Sequence, residues 1–151
     1  MTAETSSSQV SQMQPKPPKR YLPMIARILM GLGFLVFGLN GFFQFMPQPK
    51  TPPPQPAMDF IGALMKTGYL MKLVSGTQVV VGALLLLNLF VPLALLLIAP
   101  VLVNIIAFHL YLAPAPAAIM PGFIFAALEL YLAWAYRSYF APALTPVAKP
   151  S

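Results

Sequence analysis

The chain predicts an all-α integral membrane protein, a four-helix bundle in antiparallel up-down-up-down order. Three observations predict it. Hydrophobic residues fill 58% of the 151 positions and charged residues only 8%, against about a quarter charged in ordinary soluble domains. A soluble domain of this size has too much surface for its volume to hide so much apolar side chain, so lipid is the solvent that tolerates it. Four apolar segments, near 22–46, 68–88, 92–112 and 118–137, each approach or exceed the ~20 residues that cross a ~30 Å hydrocarbon layer. Finally, only "NLFVP" (88–92) separates the second and third segments, a link short enough to force antiparallel neighbours.

In chain order, residues 1–20, "MTAETSSSQVSQMQPKPPKR", hold almost nothing to bury and predict a disordered tail. The apolar run that follows is too long for a signal-peptide core and no A-x-A-like site ends it, so it is expected to remain as the first span. "PQPKTPPPQP" (47–56) is a stiff, extended connector. "AMDFIGALMKTGYL" (57–70) is a short amphipathic stretch with Asp59 as its candidate cap, suited to lie along the membrane surface. Asn88 is placed to end the second span, and Pro92 suits the first turn of the third. Pro100 is expected to bend the third span. "APAPAAIMPG" (113–122) leads into the fourth, whose far end carries an aromatic belt of Tyr131, Trp134, Tyr136 and Tyr139 with Arg137. The spans form one domain over 21–140, and 141–151 is a C-terminal tail.

Charge sets the expected orientation. Lys16, Lys19, Arg20, Arg27, Arg137 and Lys149 fall on the side of the two termini, and Lys50, Lys66 and Lys72 on the other. Six against three places both termini in the cytoplasm of a cell inner (plasma) membrane. The net charge of +6 is therefore a membrane flank, with no interleaved aromatics on a basic face for nucleic acid. Cysteine is absent, which excludes thiolate chemistry within the chain. One histidine and scattered methionines offer no metal ligand set. No nucleophile–base set or phosphate loop occurs.

The polar residues within the apolar segments carry whatever chemistry there is, because lipid offers them no hydrogen bonds. At about 100° per residue, Arg27, Gly31, Gly38 and Gly41 share one face of the first span, and Gly33, Asn40 and Gln44 another. Ser75, Gln78 and Gly82 align in the second span, and Gly122, Ala126, Glu129 and Ala133 in the fourth. A polar group flanked by small residues predicts close helix packing with the polar group turned inward. Arg27 and Glu129 are the only opposite charges at compatible depths within the spans, and they are expected to pair. Asn104 and Gln78 fall at similar mid-membrane depth and are expected to bond to each other. His109 lies five residues from Asn104, about 140° around the helix, near the outer surface with Asn40 and Gln44. Each of these seven is a functional candidate, with packing as the competing reading.

Four passages carry a resemblance: "ARILMGLGFLVFGLNGFFQFMP", "TGYLMKLVSGTQVVVGALLLL", "FVPLALLLIAPVLVNIIAFHLYL" and "LELYLAWAYRSYF". Their ordered marks are an arginine opening the first span, G-x-N-G closing it, V-P-L-A-L then N-x-x-x-x-H in the third, and L-E-L…Y-R in the fourth. Together, over about residues 22–140, they resemble the DoxX family of small four-helix membrane proteins. The resemblance implies association with membrane redox systems, including a quinone-reducing thiosulfate oxidoreductase. Arg27, Asn40, Asn104, His109 and Glu129 match its pattern, whereas Gln78 stands where many relatives carry glutamate. A neutral amide there carries no net proton. No cofactor motif is evident, and quinone is the cofactor to which the resemblance points. The expected partners are the bilayer and, beyond it, other membrane redox subunits or a second copy. A non-enzymatic scaffold or assembly partner and an oligomeric small-molecule transporter stand as alternative readings.

Overall fold

The computed structural model describes residues 21–47, 51–114 and 116–140. The tails at 1–20 and 141–151, with Lys16, Lys19, Arg20 and Lys149, lie outside the described residues, as does Lys50. The chain forms α1 (Tyr21–Phe43), α2 (Gln55–Lys66), α3 (Leu70–Leu87), α4 (Val91–Tyr111), α5 (Pro116–Ala135) and the short α6 (Arg137–Phe140), with no strand among the described residues. Helices α1, α3 and α4 are long and apolar enough to cross a membrane, and α5 contains a shorter apolar stretch, Ile119–Ala135.

The ends of these helices follow from local chemistry. α1 stops at Phe43, three residues before the expected end, because Gln44 turns to φ 49°. Asn40 holds that turn: its side-chain oxygen accepts the Met46 N–H at 2.8 Å. α2 begins at Gln55, so Asp59 lies inside the helix and does not cap it; it accepts instead from the Gln55 amide at 2.8 Å. Gly68, at φ 76°, makes the turn into α3, a conformation that costs residues with a Cβ. Asn88 ends α3 in the left-handed conformation as expected, its N–H reaching the carbonyls of Leu84 and Leu85. Pro92 lies in the first turn of α4, and α4 and α5 run on through Pro100 and Pro121.

The most extensive packing joins α1 to α3; α4 packs against α3 and α5, and α5 against α1. Glycines make the α1–α3 contact. A Cβ on Gly82 would lie 2.6 Å from the Leu35 nitrogen and 2.8 Å from the Gly31 oxygen, and one on Gly38 would lie 2.8 Å from the Ser75 oxygen. The two backbones touch, the means by which helices associate where no hydrophobic drive separates them from lipid. Around this seam lies the core of Met30, Phe34, Leu85, Leu95, Ile98 and Leu132. Large apolar side chains cover the outside of all four long helices. α2 packs against α3 and reaches α4 through the Phe60 ring, 5.8 Å from that of Phe108, and its Ala57 is fully buried.

Gly82→Val is expected to destabilise the protein by about 3 kcal/mol, the upper end of the usual overpacking cost, because the opposing atoms are backbone. Gly62→Ala on α2, where an added Cβ meets nothing within 4 Å, is expected to stabilise by about 0.5–1 kcal/mol through helix propensity. Thermal melts of both variants in one detergent check the contrast.

Candidate functional site

The seven polar candidates separate into two helix-end supports, two outward groups, one buried unpaired carboxyl and two residues that line a cavity. Arg27 is buried on α1, and its Nη1 donates to the Leu85 carbonyl in the last turn of α3 at 2.9 Å. Carbonyls there lack the donor a continuing helix would supply and form the negative end of the helix dipole; that of Leu85 has, besides Arg27 and among the described residues, only the long Asn88 N–H contact at 3.3 Å. Arg27 therefore caps α3. The expected ion pair with Glu129 is not formed: no salt bridge within 4.0 Å joins them, and Arg27 Nε and Glu129 Oε2 are both buried without a hydrogen-bond partner. Depth along two helices made them compatible, but α3 offers Arg27 a closer acceptor.

Asn40, as described, supports the turn after α1. Gln44 lies beyond the helix end and is exposed, so it does not share a helical face with Gly33. Asn104 is exposed on α4 and forms no side-chain hydrogen bond among the described residues. The expected Asn104–Gln78 bond is therefore absent. The buried residues of α4 are Val91, Ala94, Leu95, Ile98 and Leu102, and a residue two beyond Leu102 points to the opposite side.

Gln78 and His109 do come together. They line one cavity of about 320 Å³, whose walls are Phe34 and Phe37 of α1, Leu102 and Ile105 of α4, and Pro121, Gly122 and Phe125 of α5. Glu129, one turn past Phe125 on α5, is not among the lining residues. The volume falls at the lower end of small-molecule sites, ~300–1,000 Å³. The His109 Nδ1 is 2.8 Å from the Ile105 carbonyl oxygen. A carbonyl only accepts, so Nδ1 carries the hydrogen of this bond and Nε2 is the ring nitrogen left for another partner. Phe108 meets the His109 ring edge-on at 5.2 Å and Phe60 packs on Phe108, so α2 buttresses this end of the cavity.

The aromatic wall is what polar-residue reasoning missed. Phe125 packs 4.9 Å from Phe34 and 6.1 Å from Phe37 between ring centroids. Gly33 makes room for it: a Cβ there would collide with the Phe125 ring. The sequence signal was the Phe34/Phe37 spacing beside Gly33, one ring-sized gap on the same helix.

Arg27→Gln is expected to destabilise by about 1.5–3 kcal/mol, the range for a hydrogen bond from a charged donor. Glu129→Met is expected to raise the melting temperature in detergent, since a buried unpartnered polar group costs about 1–3 kcal/mol. A lower melting temperature for Glu129→Met would show that the carboxyl has a stabilising partner. Among known proteins, no family model, no curated protein and no solved structure matches the chain, so the site is interpreted from its own residues.

Proposed function

We propose that the protein is a DoxX-like membrane protein, four antiparallel spans with both termini cytoplasmic in the inner (plasma) membrane, whose cavity binds the ring of a quinone as part of a quinone-linked redox system. The observation that carries this reading is the meeting of His109 and Gln78 in an aromatic-walled, otherwise apolar cavity. A flat ring with oxygens on its edge needs stacking surface and a few hydrogen-bonding groups, and little else. Phe34, Phe37 and Phe125 supply the first, and His109 and Gln78 the second.

The residues fit both oxidation states. With its Nδ1 hydrogen held by the Ile105 carbonyl, the His109 ring has Nε2 left for a bond to a ring oxygen of the ligand. The Gln78 amide has both donor and acceptor atoms, so it serves a quinone carbonyl or a quinol hydroxyl. A bound quinone supplies reversible two-electron, two-proton chemistry; the chain's part is to hold the ring and orient its oxygens. Gln78 carries no proton of its own to exchange. Arg27 and Asn40, two of the residues that match the family pattern, are engaged with backbone groups and support the architecture of the site.

Titrating a short-chain ubiquinol into the purified protein in nanodiscs tests the reading. Saturable binding is expected, weakened about fivefold by His109→Ala and by Gln78→Leu, as for loss of one hydrogen bond. No saturable binding by the unaltered protein, or affinity indifferent to both substitutions, would sink it. In that case the scaffold reading is left, with cavity residues acting in packing.

A further inference from the structure

A hydrogen-bonding side chain turned outward from a membrane-length helix needs an explanation, and Asn104 is such a residue. It lies thirteen residues into α4 and seven before its end, about 20 Å and 10 Å along the helix. Both distances place it inside a ~30 Å hydrocarbon layer. Lipid offers its amide no partner, and such groups in membranes face protein or water.

Its neighbours on that face form a regular seam. Leu93, Leu97, Pro100, Asn104, Ala107 and Tyr111 alternate at spacings of four and three, the 3.5-residue period that keeps one stripe of a helix against a partner helix. Leu93, Leu97 and Tyr111 are 50%, 42% and 81% exposed. Pro100 and Asn104 are exposed as well, and Ala107 is half-buried. The stripe covers eighteen residues of rise, about 27 Å, nearly the full thickness of the hydrocarbon. It lies apart from the face that Ile98, Leu102 and His109 turn toward the bundle and its cavity.

We infer that this stripe is the interface between two copies of the chain, packed α4 against α4 with the two Asn104 side chains bonded to each other. The choice of occupant follows from geometry. Copies inserted with one topology pack in the bilayer about a two-fold axis along its normal, so the same helix meets itself in parallel and each residue meets its own depth. An amide is both donor and acceptor, so Asn104 satisfies Asn104 across that axis. Small Ala107, one turn along, lets the helices approach. A single polar residue in an otherwise apolar seam also sets the register of the pair. The inference requires α4 to span the membrane but is independent of quinone binding.

The chain contains no cysteine, so single cysteines introduced into the full-length protein in liposomes report the contact directly by oxidative cross-linking. Leu97→Cys and Ala107→Cys are expected to give covalent dimers, and Leu130→Cys, 71% exposed on α5, is not. Adding Asn104→Leu to Ala107→Cys is expected to weaken association about threefold to thirtyfold, the span of interhelical hydrogen bonds measured in membranes. Asn104→Gln, which keeps the amide, retains most of it. A monomer at every protein-to-lipid ratio overturns the proposal. So does cross-linking as strong at Leu130 as at Ala107, or dimerisation indifferent to Asn104→Leu. If Asn104→Leu fails to insert, the cysteine pattern in the Asn104 background decides alone.

Discussion

Apolar helices in lipid gain nothing by exchanging acyl chains for one another, so this fold depends on backbones that approach closely enough for dispersion and fixed dipoles to act. α1 and α3 meet in that way at Gly31, Gly38 and Gly82. The closeness has consequences beyond its own contact area. It brings the Arg27 guanidinium within reach of the Leu85 carbonyl, a bond a wider gap would break. It also puts Gln78 and the α1 phenylalanines on one cavity wall, because the helices that carry them are held at backbone distance. Gly33 extends the same device to α5, where the missing side chain admits the Phe125 ring.

Polar groups are distributed by a related economy. Helix ends hold the backbone groups that have no intrahelical partner, and several of the chain's polar side chains are found there. Arg27 serves the end of α3, Asn40 the turn after α1, and Asn88 the αL cap between α3 and α4. Arg137 serves the end of α5, donating to the Trp134 carbonyl at 3.0 Å while its guanidinium lies 4.7 Å above the indole. The duties of all four are architectural. Polar residues at such positions speak to how the helices are joined more than to what the protein binds.

The helical segments were legible because hydropathy reports length directly, and their ends shifted by only one to three residues. The small-residue faces of α1 and α3 were largely legible too: Arg27, Gly31 and Gly38, and Ser75, Gln78 and Gly82, are all buried, while Gly41, the last predicted member of the α1 face, is exposed. What depth counting could not supply was azimuth. Compatible depths for Arg27 and Glu129 do not aim two side chains at each other, and Arg27 bonds a backbone carbonyl of α3 instead. Asn104 was misplaced for a related reason. α4 is apolar round its whole circumference, so hydropathy marks no inner face, and polarity alone suggested that the asparagine pointed in. Packing chose the face of Ile98 and Leu102 instead. The cavity was half legible: its polar members were named from the sequence, but its aromatic wall comes from three helices and only the fold assembles it.

The spacing of asparagine and histidine in "NIIAFHLYLAP" (104–114) then becomes a structural statement. Five residues turn a helix through about 500°, leaving the two side chains roughly 140° apart, so one cannot face the bundle without the other facing away. His109 continues the inner stripe of Ile98, Leu102 and Ile105 and takes its hydrogen-bond partner from its own helix. Asn104 continues the outer stripe, where α4 itself supplies no partner. Had the spacing been four, both would lie on one face, and the cavity would gain an amide while the outer surface of α4 became wholly apolar. A five-residue spacing instead makes α4 a two-sided helix, with one polar group turned to the cavity and the other to whatever lies beyond the bundle.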